Sequence, residues 1–180
     1  LKIKFAFCLD FNHTLTKLNY YHPITNNIFM AYKTNRVKWC HSADEIKAIR
    51  EKVFVYEYRV PRHCEFDEND QNCEHVLLKN DDNKTIATGR IAHSGKISRI
   101  AVLMKFRNTD AANRVIEQLL TIAKTKGLER VYIDAELDSL PYYKGQGFEP
   151  QGSVFMEAGV AKQRLACSVK LFHCQQSILH

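Results

Sequence analysis

ISRIAVLMKFRNTDAA, residues 97–112, is the stretch on which the reading of the fold turns. IAVLM is an unbroken run of large apolar side chains, the composition of a strand buried on both faces. A basic turn, Lys105 to Arg107, follows it, and then Asn108 and Thr109 stand as N-cap candidates before a helical pattern. A helix start offers unpaired backbone N–H groups and the positive end of a dipole, so this turn has the ingredients of a phosphate cradle. Its skeleton is Arg107-x-x-Asp110-x-Ala112.

Working outward, Val115, Ile116, Leu119, Leu120, Ile122 and Ala123 form one stripe of a helix running to about Lys126, with Gly127 as its C′ residue. RVYIDAE (130–136) reads as another buried strand, LDSLPYYKGQ (137–146) as a short helix or turn, GFEPQGSVF (147–155) as a strand and LACSVKLF (165–172) as the last strand. Upstream, HVLLKN (75–80) and TIATGRIAHS (85–94) flank the turn residues DDNK, which predicts an antiparallel hairpin. VKWC (37–40) is a short strand candidate. Ser42-Ala-Asp-Glu45 reads as a capping box opening a helix with Ile46, Ile49 and Val53 at helical spacing. RVPRHCEFDENDQN (59–72) is polar, acidic and irregular.

The 180 residues suit one domain with a sizeable core, and no apolar run approaches the roughly 18 residues that span a bilayer. A secretory leader is not expected, because Asp10 interrupts the short apolar patch after the first lysines and no small-residue cleavage site follows. The net charge is +6, and residues 1–36 hold five Lys/Arg against one Asp. That basic segment has no dense block, so nucleic-acid binding is not the expected role. Residues 1–36 read as an extension of unassigned role and residues 37–180 as the domain. Six cysteines form no CxxC pair, as expected of reduced thiols in a cytoplasmic protein. His63, Cys64, Cys73 and His75 could supply four zinc ligands, but the Cys-x8-Cys-x-His spacing matches no familiar module, and no metal is expected. FAFCLDFNHTLT (5–16) resembles the nucleophile motif of haloacid-dehalogenase-type phosphatases, with Asn12 in place of that motif's acid/base Asp and no room for the rest of such a domain.

The element order is strand, helix, three strands, helix, strand, helix, two strands, and it resembles that of the GNAT acyltransferase superfamily. From about Val37 to Val169 the chain is similar to the ElaA-like branch of that superfamily. The residues carrying this are Ile49-Arg50, Val53-Phe54-Val55-x-Glu57, Val60-Pro61, Glu65-x-Asp67-x-x-Asp70 and His75. Further on come Ala87-Thr-Gly-Arg90, Gly95-Lys-Ile97, Arg99-Ile-Ala-Val102, Arg107, Ala135-Glu136, Tyr142-Tyr143-x-x-x-Gly147-Phe148 and Phe155-x-Glu157-Ala-Gly-Val160. The resemblance implies an α/β (α+β) fold with a central, mostly antiparallel mixed sheet, a splayed strand pair and flanking helices. It implies acetyl-CoA as cosubstrate and a small-molecule or peptide amine as acceptor, with homodimerisation left open.

In such proteins the strand equivalent to Ile100–Met104 diverges from its neighbour at Val131–Ala135, exposing backbone near Ala101, Val102 and Leu103 to the pantetheine arm and the thioester. The loop Arg107, Asn108, Thr109, Asp110, Ala111, Ala112 and Asn113 would hold the pyrophosphate. Tyr143 stands where many members place the phenol that protonates the departing thiolate, and Tyr142 is read as packing. Glu57, Glu136 and His75 are candidates to accept the amine proton. The acidic run Glu65, Asp67, Glu68 and Asp70 could attract a cationic amine, and Arg90 and Arg99 are expected to pair with those acids. Two positions depart from the pattern. Asp110 replaces the first loop glycine, adding a negative charge beside the pyrophosphate, and Lys162 replaces a histidine near the end. These departures keep a second reading open, a degenerate binding or regulatory domain. The Arg-x-x-Val-Phe opening keeps a third, an acyl-homoserine-lactone-synthase-like enzyme.

Overall fold

A computed structural model describes residues 32–157 and 159–170. FAFCLDFNHTLT and the end of LACSVKLF lie outside the described residues. Among those residues the chain runs β1 (Lys33–Val37), α1 (Trp39–Arg50), α2 (Arg62–Glu65), β2 (Glu74–Lys79), β3 (Thr85–Ile91) and β4 (Ile97–Val102). It continues with α3 (Ala111–Thr125), β5 (Arg130–Glu136), α4 (Leu140–Gly145), β6 (Glu149–Glu157) and β7 (Val160–Ser168). The strands form two antiparallel sheets, ordered β1-β2-β3-β4 and β5-β7-β6. A parallel bridge at Lys96 and Tyr132, with the Tyr132 N–H donating to the Gly95 carbonyl at 3.0 Å, joins β4 to β5 at their starts. Beyond it the two strands separate, which is the divergence expected of Ile100–Met104 and Val131–Ala135.

Helix α3 fills one face of the first sheet. Its stripe from Val115 to Ala123 is buried in one core with Val76, Leu78, Ile86, Ala87 and Ile91. The helix can come this close because Gly89 lacks a side chain. A Cβ there would stand 2.7 Å from Val115 Cγ1 and 3.0 Å from Leu119 Cδ1. Gly127, at φ +70°, ends the helix as read from the sequence. Glu74, buried at the start of β2, gathers Arg36 at 3.1 Å, Lys38 at 2.6 Å and Lys126 at 2.8 Å, tying the end of α3 to the edge strand β1. Burial pushes its carboxyl up, but the three cations outweigh that and hold it well below the usual carboxylate range.

Three local readings change. The first strand is Lys33–Val37, not VKWC, because Trp39 opens α1 and its ring lies 5.5 Å from that of His75. β1 thereby straddles the boundary drawn between residues 36 and 37. Ser42 marks a break inside α1, at φ −134°, and Glu45 faces the sheet instead of closing a capping box. The Glu45 carboxylate accepts the Thr85 hydroxyl at 2.7 Å and pairs with Lys79 at 2.8 Å. After α1 the chain continues as a π-helical turn, Glu51–Glu57, which buries Val53 and Phe54.

Candidate active site

β4 carries an extra residue opposite β3. Thr88 pairs with Ala101 but Arg90 with Ser98, so Gly89 faces both Arg99 and Ile100. Arg99 takes φ +55° in this bulge, a conformation a non-glycine residue adopts only where its surroundings enforce it. The enforcement is visible. Arg99 Nε donates to the Glu65 carbonyl at 3.1 Å, Nη2 donates to the Cys64 carbonyl at 3.1 Å, and the Glu65 carboxylate lies 3.2 Å away.

Behind Arg99 lies a charge network in which Arg50 and Arg90 meet Glu65, Asp67 and Asp70. Arg50 bonds Glu65 and Asp70, each at 2.6 Å, and Arg90 takes Asp67 through two bonds and Asp70 at 2.6 Å. The acids of the run 65–70 are thus mostly answered by arginines, which leaves little of their charge to attract an amine. Burial pushes Glu65 up despite Arg50 and Arg99, whereas Arg90 holds Asp67 below the ordinary range. His75 is fully buried, hydrogen-bonded at 2.8 Å to the Asp70 carbonyl, and its burial favours the neutral ring. It belongs to this network and does not line the cleft.

The cleft opens where β4 leaves β5. A cavity of about 150 Å³ is lined there by Ser98, Arg99 and Ile100 of β4, Ile133 to Glu136 of β5, Phe54, Ser139 and Tyr143. Lys162 and Glu157 reach it from the β6–β7 hairpin, where Lys162 Nζ donates to the Glu157 carboxylate. A second, more polar groove of about 460 Å³ shares Lys96, Ser98, Arg99 and Glu157 with it. Of the three candidate catalytic residues, Tyr143 and Glu136 meet in the cavity. Tyr143 is 4% exposed and edge-on to both Tyr142 and Phe148. Burial pushes its phenol far up, and the nearby Tyr142 and the Glu136 charge add to the effect, so it stays protonated throughout the neutral range. Glu57 is absent from the lining. Its carboxylate sits on Arg107, at the far end of β4, away from Glu136 and Tyr143 of the cavity lining.

The backbone of the expected cofactor strand has a definite orientation. The Leu103 N–H donates to the Ile86 carbonyl at 2.9 Å, while Ala87 pairs with Val102. In that antiparallel register the N–H and C=O of Val102 point away from β3, toward the diverging side. The Val102 carbonyl accepts Arg107 Nε at 3.0 Å. Leu103 is therefore committed to β3, and Val102 is the residue whose polar backbone faces the gap. The Ala101 side chain packs in a small core with Ile49, Val53, Phe54 and Val60.

The loop then turns into α3. Thr109 closes it, donating to the Phe106 carbonyl at 2.7 Å and accepting the Ala111 N–H at 3.2 Å. Ala111 is fully buried, so the helix start needs a small residue there. Asn108, Thr109 and Asp110 are exposed, and Ala112 is half-buried. Asn113 accepts the Tyr142 hydroxyl at 2.5 Å, linking α3 to α4, so Tyr142 does more than pack. The Asp110 carboxylate is turned to Arg114, 2.7 Å away and largely in solvent. That pairing reduces the repulsion expected from a carboxylate at this loop position.

Residues 40–169 match the family model described as an acetyltransferase (GNAT) domain. The chain belongs to the GNAT acetyltransferase family. It is 30% identical over 116 residues to the uncharacterized N-acetyltransferase YjcF of Bacillus subtilis, covering 62% of this chain and 82% of that protein. Its fold matches Escherichia coli ElaA with a TM-score of 0.66 at 20% identity, over 78% of this chain and all of ElaA. It also matches a GNAT acetyltransferase of Elizabethkingia anophelis, solved with acetyl-CoA bound, with a TM-score of 0.58 at 16% identity, over 76% and 97% of the two chains. In this GNAT acetyltransferase Tyr143 and Glu136 line the cavity at the β4–β5 divergence.

Several residues of this GNAT cleft were not singled out in the sequence as site residues. Ser98, Asp134 and Ser139 carry no motif; strand register brings Ser98 and Asp134 to the gap, and the helical turn after β5 brings Ser139. Asp134 is held below the ordinary carboxylate range, its burial outweighed by Arg164 and Lys96. Lys162, noted in the sequence as a departure, proves to be a nearly buried cavity residue.

Proposed function

We propose that the protein transfers an acetyl group from acetyl-CoA to a primary amine by direct attack in a ternary complex. The observation that carries this reading is that Tyr143 and Glu136 line one cavity at the β4–β5 divergence, while the polar backbone of Val102, two residues past Ile100 of that lining, is turned away from β3 to the same diverging side. The thioester would lie along β4, its carbonyl polarised by the Val102 N–H, in the manner of an oxyanion hole. The pyrophosphate would meet the 107–113 loop and the start of α3.

The neutral amine attacks the thioester carbon, forming the N–C bond as the carbonyl electrons move to oxygen. The C–S bond then breaks, and the sulfur leaves as a thiolate. The proton lost by nitrogen passes to Glu136, directly or through water, and Tyr143 gives its proton to the thiolate. Return of a proton from Glu136 to Tyr143 restores the resting enzyme. Because the Tyr143 phenol holds its proton more tightly than a free thiol does, its hydrogen bond stabilises the thiolate before the proton moves.

The acceptor enters from the side lined by Ser98, Arg99, Lys162 and Glu157. The test is thiol release from acetyl-CoA across a panel of small-molecule and peptide amines. Turnover with at least one amine is expected, and Tyr143→Phe should lower kcat on the order of a hundredfold while moving acetyl-CoA affinity less than threefold. Equal losses in kcat and affinity would make Tyr143 a packing residue. Thiol release that never depends on an amine would overturn the transfer.

A further inference from the structure

Arg107 begins the phosphate loop, yet every contact described for it is internal. Its Nε donates to the Val102 carbonyl at 3.0 Å, its Nη2 donates to the Glu57 carboxylate, and its guanidinium lies 5.5 Å from the centre of the Tyr58 ring. Glu57 closes the π-helical turn 51–57, fifty positions before Arg107, so the pair joins two separate parts of the chain. Both side chains are mostly shielded, at 20% and 27% exposed, which makes this pair less screened than Asp110 with Arg114 at 46% and 54%. A carboxylate seated on a guanidinium fills one of its donor edges and places a negative charge beside it. A diphosphate brought to the same guanidinium meets both obstacles.

Resting on the acetyl-CoA reading above, we infer that Glu57 is an internal competitor for the cofactor's diphosphate, which must take Arg107 from it. Glu57 thereby sets the affinity for CoA without touching the reacting atoms. This accounts for the carboxylate's place at the loop end of β4 instead of the acceptor side. It also gives the π-helical turn a function, since that turn carries Glu57 to Arg107.

The test is calorimetric titration of CoA, and separately of pantetheine, which lacks the diphosphate, into the wild-type chain and Glu57→Gln. Thermal unfolding of both proteins checks that the exchange leaves the fold intact, and Glu57→Asp, with its shorter reach, provides a second variant. Glu57→Gln should bind CoA roughly fivefold more tightly, the scale of losing one partly shielded ion pair, with a steeper salt dependence. Its pantetheine affinity should match the wild type, and Glu57→Asp should fall between the two for CoA. CoA binding that is unchanged or weaker in Glu57→Gln while the wild type binds overturns the competition and leaves the acetyl-CoA reading standing. Equal tightening of pantetheine also overturns it, since the effect would not lie at the diphosphate. If neither protein binds CoA, the acetyl-CoA reading falls and the competition falls with it.

Discussion

At Asp110 a single side chain decides between two opposite expectations. A carboxylate in place of glycine adds charge where an anion is to bind, yet here the charge is turned onto Arg114, one helical turn on. An exposed pair of this kind is worth about 0.3–0.5 kcal/mol, so the penalty on a bound diphosphate is modest. Asp110→Gly frees Arg114 and removes the charge, and it should tighten CoA binding by a factor between about two and ten. Isothermal titration reads this directly; weaker binding would mean that the Asp110–Arg114 pair shapes the loop. Residues of this kind divide what was legible in the chain. Tyr143 and Arg107 stand out in the chain through the family resemblance that YYKGQGF and IAVLMKFRNTDAA carry, which is what implies their proposed roles. The partner of Arg107 could not be anticipated, because Glu57 is fifty residues away and only the packing of the π-helical turn brings it there.

At the scale of elements, α3 and the first sheet depend on one missing Cβ. Gly89→Ala places a carbon 2.7 Å from Val115 Cγ1, and both the strand and the helix are fully packed. The expected cost is about 1–3 kcal/mol, read as a lower Tm. Trimming the neighbour in the double variant Gly89→Ala/Val115→Ala should recover part of that loss relative to Val115→Ala alone. Additive losses would place the strain elsewhere. Glu74 is the second junction. Its carboxyl is held low, so the folded state gains from its ionisation at any pH above the unfolded value near 4.3. That gain is lost as pH falls below this value toward the folded one. Glu74→Gln should therefore cost roughly 1–2 kcal/mol at pH 7, and the difference from wild type should shrink below about pH 4. A difference independent of pH would show that shape, not charge, holds the corner. Most elements were readable, since the DDNK hairpin, α3, its terminal glycine and RVYIDAE follow periodicity and turn chemistry. The exceptions have physical causes. VKWC is a sound strand by composition, but Trp39 packs by His75 as a helix begins. The Ser42 box had the right residues, but Glu45 found Lys79 and Thr85 on the sheet.

Across the whole molecule, the two sheets are joined at Gly95, Lys96 and Tyr132 and diverge beyond that point. The cleft is a consequence of this topology: α3 holds one sheet, the β6–β7 hairpin extends the other, and the bulge at Arg99 turns β4 between them. Sequence pattern implied the divergence through family resemblance. It could not supply the bulge, because an arginine at positive φ carries no local signal, unlike a glycine. The pairing of Arg90 and Arg99 with the acids at 65–70 follows the sequence expectation, whereas Arg50, at the end of α1, joins Glu65 and Asp70 without a local signal. Among the described residues no helix is long and apolar enough to cross a membrane. The central claim is that this cleft holds acetyl-CoA, with the diphosphate at the arginine loop. Calorimetric titration of acetyl-CoA into the purified chain, at low and at moderate salt, tests it most directly. One site of micromolar affinity that weakens as salt rises is the predicted result; no binding up to millimolar acetyl-CoA at either salt would contradict it.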